Sequence, residues 1–411
     1  MADLQQWLPQ SSHWQSGVRG PLPQARGAAP ALSRTDHPRG GQSDRPGHRS
    51  SLEHPERHLQ PVYARVLGGQ RGYHHPGGRK TLSTLFLLGA VGLIPGGVMA
   101  RGILLLALLL SACVHSYPPT PLLAPFPAVP QDSFVYAKEA VQAQVVPLQE
   151  EKAFRVFRLT YASPLQTDPR NDTVEALLFL PRTVTRPPVV IFLPILHKGE
   201  SLTDSFARYF AARGIAALSL RGKKNFLKGN QGLRFTKEVF RQMIVDIRRG
   251  MDWLEVQPEV DGKRIGICGL SLGAVESVIV AGVDNRVSCA AYLLGGGNIP
   301  KILMTSQEKD IARFRRDAMA AEGLDAEGLY TKILSGYQDI DPLTYAGRLP
   351  PQQVLMVNAY FDTVVRREYA NALWERSGRP HRVLLPTGHF TAFLYLPYAR
   401  WLTYRHFQRC L

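Results

Sequence analysis

The pattern of apolar and polar positions divides this 411-residue chain into regions of unlike character. From Phe154 onward, short apolar runs alternate with amphipathic stretches. Phe154–Tyr161 and Val174–Leu180 read as an antiparallel pair of strands about a turn at Asp168-Pro169-Arg170-Asn171. Val189–Leu196 is almost unbroken hydrocarbon, as a strand covered on both faces should be. A helix is expected over Leu202–Arg213, stopped by Gly214, and another buried strand over Ile215–Leu220. Val239, Met243, Ile244, Ile247, Met251 and Leu254 recur at three- or four-residue spacing and mark a long amphipathic helix over about Thr236–Val256. Strand Arg264–Gly269, helix Leu272–Ala281, strands Arg286–Leu294 and Gln353–Tyr360, helix Val365–Ser377, strand His381–Leu385 and a terminal helix complete the series. Strand and helix in this alternation predict an α/β sandwich around a mostly parallel sheet. Residues 299–350 interrupt it, with one short helix given an apolar side by Ile311, Phe314 and Ala318.

The first part of the chain, through about Lys80, has neither a helical nor a strand period and is rich in Gly, Pro, Gln, Arg and His, so it cannot build a core. Residues 1–112 hold 7 of the 12 His and 12 of the 49 Lys+Arg, so much of the formal charge of +16 lies outside the alternating region. The arginines stand singly among Gly, Pro and His, with no aromatic platform and no recognition module, and nucleic-acid binding is not expected.

Residues 99–116 give a short basic start ending at Arg101, an apolar run from Ile103 to Leu110, and small residues before a cysteine, the layout of a secretory signal. Leu110-Ser111-Ala112-Cys113 resembles the lipobox of bacterial lipoproteins. That resemblance implies that Cys113 carries diacylglycerol and that the chain is cut just before it. Residues 99–112 are then the signal peptide, Met99 is the start, and residues 1–98 are a non-native or disordered extension. The expected location is the bacterial cell envelope, on the periplasmic face of the outer membrane, held to the membrane by its lipid. The alternative is a membrane-spanning stretch from Leu82 to Leu110, which exceeds the roughly 20 residues a bilayer needs but is broken by Pro95-Gly96-Gly97 and Arg101. Six prolines between Pro118 and Pro130 make residues 113–132 an extended tether, and residues 133–411 the folded domain. The remaining cysteines, Cys268, Cys289 and Cys410, are odd in number and show no framework spacing, so Cys268 and Cys289 are expected as buried free thiols. No metal-ligand spacing, phosphate loop or dinucleotide fingerprint is present, and neither metal nor cofactor is expected.

In an open α/β sheet, function gathers at the carboxyl ends of the strands. The strand from Arg264 ends in Gly269-Leu270-Ser271-Leu272-Gly273, a G-x-S-x-G between strand and helix. The next strand ends place Asp362 after Asn358-Ala359-Tyr360-Phe361, and His389 after Leu385-Pro386-Thr387-Gly388. Serine, acid and base in this order, each at its own strand end, resemble the α/β-hydrolase family from Val189 to Leu411, with residues 299–350 as a helical cap. The resemblance implies a serine hydrolase, most plainly a carboxylesterase. Ser271 would be the nucleophile, His389 the general base and Asp362 its orienting acid. The backbone N–H groups of Leu272 and Leu196 would hold the oxyanion, with His197 as the neighbour that could replace Leu196. Alternatives stay open: Asp362 as a helix N-cap with Asp339 or Asp341 as the acid, and His406 as the base. The loop Arg221–Lys228 is either a solvated charge run or a contact for an anionic substrate.

The stretch between the tether and Val189 is too short for the propeller of prolyl-oligopeptidase-type enzymes, and a serine at the nucleophile position argues against dehalogenases. The expected substrate is a small-molecule or glycan ester of an acetyl or other short acyl group. An acyltransferase, or an inactive hydrolase-fold lipoprotein that binds a glycan or protein, would carry much of the same sequence.

Overall fold

The computed structural model describes residues 114–119, 132–196, 199–224 and 226–411. The extension, the signal segment, Cys113 and most of the proline-rich stretch lie outside the described residues. No helix among the described residues is long and apolar enough to cross a membrane.

The strands are β1 (His115–Tyr117), β2 (Ala143–Glu150), β3 (Phe154–Ala162), β4 (Thr173–Pro181), β5 (Val189–Leu193), β6 (Ala216–Leu220), β7 (Ile265–Leu270), β8 (Val287–Leu293), β9 (Val354–Ala359) and β10 (His381–Leu385). They form one sheet in the order β1-β10-β9-β8-β7-β5-β6-β4-β3-β2. From β6 to β10 all neighbours are parallel, and every residue of β5, β6, β7 and β9 is buried. That is why these strands read as continuous apolar runs. At one edge β4, β3 and β2 add an antiparallel meander, and at the other β1 pairs antiparallel with β10.

The helices are α1 (Glu200–Ala211), α2 (Gly232–Glu255), α3 (Leu272–Val283), α4 (Ile299–Thr305), α5 (Lys309–Glu322), α6 (Ala326–Gly336), α7 (Pro342–Tyr345), α8 (Arg367–Arg376) and α9 (Leu396–Cys410). Phe206 and Phe210 of α1 and Phe407 of α9 close over Phe192 and Cys268 on one face of the sheet. The Phe210 ring stands 5.0 Å from Phe192 and 5.9 Å from Phe407, edge-on to both. Tyr161 points to the opposite face, where its hydroxyl donates to the Asp246 carbonyl of α2 at 2.8 Å.

Several expectations need correction. His115–Tyr117 is an edge strand, so the tether is docked to the sheet at that point. The strand expected to reach Leu196 stops at Leu193, because Pro194 has no N–H for a ladder. Helix α2 begins at Gly232, before Thr236, because the Glu322 carboxylate of α5 accepts the Leu233 N–H at 3.0 Å and caps an end with no capping residue of its own. The insertion holds three helices and the single turn α7; α5 buries Ile311, Phe314 and Ala318, as their spacing predicts. Cys289 is joined to Cys410 in a disulfide with Cα atoms 6.0 Å apart, and Cys268 is the free, buried cysteine among the described residues. Two of the cations after β6 are engaged within the protein: Arg221 pairs with Asp204 at 2.9 Å, and Lys223, its side chain 8% exposed, pairs with Asp246, while Lys224 and Lys228 are exposed.

Candidate active site

The chain leaves β7 and turns into α3 at Ser271, whose φ of 53° and ψ of −110° lie outside the regions open to most L-residues. Two glycines make that turn possible. A Cβ on Gly269 would stand 1.8 Å from the Gly273 carbonyl oxygen, and one on Gly273 would stand 2.3 Å from that of Leu193. The turn is pinned from both sides: the Ser271 N–H donates to Leu293 O at 2.8 Å and the Gly273 N–H to Pro194 O at 3.1 Å. The strain therefore rests on a rigid frame, and it lifts the serine hydroxyl above the sheet.

His389, in the loop after β10, places Nε2 at 3.0 Å from Ser271 Oγ. Its Nδ1 lies 2.7 Å from Oδ2 of Asp362, which follows β9. Asp362 is buried, and the His389 side chain is 8% exposed. The remaining Asp362 oxygen, Oδ1, accepts the N–H groups of Val364 and Val365 at 2.9 and 2.8 Å. The sequence thus brings Ser271, His389 and Asp362 into one hydrogen-bonded chain.

The rival residues stand elsewhere. Asp339 pairs with Lys237 at 2.7 Å. Asp341 is fully buried and accepts the N–H groups of Asn298, Ile299 and Leu343, and burial pushes its carboxyl up to about 6. His406 lies within α9 with Nε2 at 3.0 Å from Ala290 O, and burial pushes it down to about 4, so it stays neutral.

Ser271 and His389 open onto a cavity of about 330 Å³. Leu272 and Leu196 line it beside them, and among the described residues the Leu272 N–H has no backbone acceptor. His197 lies outside the described residues. Of the 31 lining residues, only Thr236, Ser271, Glu308, Tyr337 and His389 carry polar groups, and none is Lys or Arg. One wall comes from Ile299, Ile302 and Leu303 of α4 and Ile311 of α5, so the insertion covers the site. Of the lining residues Phe390 and Phe393 are 67% and 65% exposed, beside Leu394 at 60%, and Tyr360 and Phe361, just before Asp362, are 43% and 63% exposed.

Sequence reasoning missed two groups. Glu276 on α3 is buried with no countercharge beside it, and burial pushes its carboxyl up to about 8. It is the one charge in the helix Leu272–Val283, which was the available signal. Cys289, His406 and Cys410 bring their ligand-type atoms within 4.8 Å of one another, across 121 residues of sequence between the cysteines. The two sulfurs are bonded to each other and so offer no thiolate to a metal.

No family model matches the sequence, and no curated protein matches it. Among solved structures, an acetyl xylan esterase from Paenibacillus sp. R4 is similar at 17% identity with a TM-score of 0.53, over 66% of this chain and 90% of that one. Acetyl xylan esterase 1 from Thermoanaerobacterium sp. JW/SL YS485 is similar at 17% identity with a TM-score of 0.49, over 65% of this chain and 89% of that one. The likeness to the Paenibacillus structure is one of fold, and with the sheet order and the serine turn described above it gives this chain the α/β-hydrolase fold.

Proposed function

We propose that this protein is a serine hydrolase that cleaves carboxylic esters through an acyl-enzyme, and that it works at the cell envelope, anchored by a lipid on Cys113. The observation that carries the catalytic reading is the contact of His389 with both Ser271 Oγ, at 3.0 Å, and Asp362, at 2.7 Å, at the edge of a covered apolar cavity.

In this reading His389 Nε2 takes the Ser271 proton as Oγ attacks the ester carbonyl carbon. The negative charge that gathers on the carbonyl oxygen is met by the Leu272 N–H at the start of α3 and by the Leu196 N–H. Collapse breaks the bond to the alcohol oxygen, which leaves with the proton from His389 and frees the alcohol. Water then repeats the sequence on the acyl-enzyme, releasing the acid. Asp362 holds the proton of His389 on Nδ1 and stabilises the imidazolium formed in each half. The fold neighbour named as an esterase supports the same reaction class.

A fluorophosphonate probe tests the reading. Wild-type protein should be labelled and Ser271→Ala should not; an intact wild-type chain that takes no label refutes the enzyme reading in favour of a binding lipoprotein. Mass spectrometry of the protein expressed from its native gene tests the anchor, which requires an acylated N-terminus at Cys113.

A further inference from the structure

Resting on the ester-hydrolase reading, we infer that the substrate is an amphiphilic ester whose acyl group is a medium-length aliphatic chain, seated in the cavity beneath α4 and α5. The short acyl group expected from the sequence leaves most of this space empty. On this measure one water-sized group needs about 10–15 Å³, so an acetyl methyl occupies a small part of the 330 Å³ available. A chain several carbons longer is needed to fill it.

The chemistry of the lining decides what kind of group enters. The Tyr337 hydroxyl donates to Leu233 O at 2.7 Å, the Thr236 hydroxyl donates to Gly232 O, and Glu308 accepts the Ile311 N–H at 2.8 Å. Apart from Ser271 and His389, the proposed oxyanion amides and the second oxygen of Glu308, the polar groups on the cavity wall are tied to the backbone of the fold. A sugar ring in this space would leave its hydroxyls unpaired against Ile302, Leu303, Phe240 and Leu227, at a cost for each one. A hydrocarbon chain loses nothing there and gains roughly a factor of four in binding for each methylene buried.

The position of His389 separates the acyl from the alcohol side. The acyl group remains bonded to Ser271 Oγ through the acyl-enzyme and needs a covered seat. The alcohol must leave past His389, which protonates it, and His389 adjoins the exposed edge at Phe390 and Phe361. That edge is apolar. Half of the large exposed hydrophobic residues among those described fall at positions 360–361 and 390–394. Phe390 and Phe393 belong both to the exposed edge and to the cavity lining, so they make a continuous apolar path for a chain entering from outside.

The test is kcat/KM for p-nitrophenyl acetate, butyrate, octanoate and palmitate, with octyl acetate beside ethyl acetate. We expect a rise of at least about tenfold from acetate to octanoate, whose chain is six methylenes longer, a fall at palmitate, and no gain for octyl over ethyl acetate. Leu303→Trp, which narrows the cavity from α4, should lower the octanoate-to-acetate ratio at least fivefold. Acetate cleaved as well as octanoate, with serine labelling intact, overturns the chain-length inference and keeps the ester-hydrolase reading. A gain confined to octyl acetate overturns the assignment of the cavity to the acyl side. Protein that cleaves none of these esters and takes no fluorophosphonate overturns both.

Discussion

Asp362 serves His389 with one carboxylate oxygen and its own backbone with the other. Oδ2 lies 2.7 Å from His389 Nδ1, while Oδ1 accepts the Val364 and Val365 N–H groups. Sequence offered these as competing roles, a helix-capping aspartate or the acid of a catalytic group. The geometry lets one carboxylate make both contacts: the two amides fix the carboxylate plane, and the fixed plane aims the second oxygen at the imidazole.

Substituting Asp362 separates the two tasks. Asp362→Asn retains an acceptor for the backbone amides but favours the wrong tautomer of His389, so kcat should fall by roughly 10³–10⁴-fold with little change in Tm. Asp362→Ala should lose the same activity and, in addition, about 1 kcal/mol of stability from the unpaired amides. Measuring kcat alongside denaturant unfolding for both variants checks this. An Asn variant that keeps more than a tenth of wild-type kcat removes Asp362 from the catalytic group.

The parts of the fold legible in the sequence are those whose physics is local. Val189–Leu193 and Ile265–Leu270 announce themselves because a strand covered on both faces has no polar position. Ser271, Asp362 and His389 could be found because a parallel sheet gathers successive strand ends at one edge. The illegible parts depend on distant partners. Strand β2 lies at the sheet edge with most of its residues exposed, so no apolar face marks it. The start of α2 depends on Glu322, 89 residues away, and the pairing of Cys289 depends on Cys410. The size of the cavity was illegible for the same reason, since it is assembled from α1, α2, the insertion and the loop around Phe390.

Glu276 gives a pH signature. In the unfolded chain its carboxyl ionises near its ordinary value of 4.5, while in the fold burial holds it up to about 8. Between those two values the unfolded state gives up the proton and the folded state keeps it, so stability falls as pH rises across the window and levels off above it. Glu276→Gln removes that slope. The variant should match wild type near pH 4.5 and exceed it by a few kcal/mol at pH 8 in denaturant titrations. Asp246 and Asp341 are also raised, but they remain in both proteins and cancel in the difference. A wild-type-minus-variant difference that stays flat with pH rules out the buried neutral carboxyl.

The Cys289–Cys410 bond ties the terminal helix α9 to β8 across 121 residues. Closing a loop of that length restricts the unfolded chain, and its loss should cost about 2–4 kcal/mol. Cys410→Ser should lower Tm, and a reducing agent should lower wild type to the same level without moving the variant further. A Tm indifferent to reductant is the contrary result. Because structural disulfides persist in oxidising compartments, thiol titration of protein taken from the envelope also tests the proposed export.

Asp341 closes the neck of the insertion. Its Oδ1 accepts the N–H groups of Asn298 and Leu343, and its Oδ2 accepts that of Ile299 at 2.7 Å, so a single carboxylate joins the starts of α4 and α7. Asp341→Asn keeps Oδ1 but turns an NH₂ group toward the Ile299 N–H, donor against donor, and should cost about 1–3 kcal/mol for that unpaired amide. Asp341→Ala strands all three amides and should cost more. Because α4 carries Ile299, Ile302 and Leu303 into the cavity, both variants should also raise KM for p-nitrophenyl octanoate more than for the acetate. Denaturant midpoints, exchange of the Ile299 amide and the two KM values together check the assignment. Loss of stability with an unchanged ratio of KM values would confine Asp341 to folding and detach the neck from substrate binding.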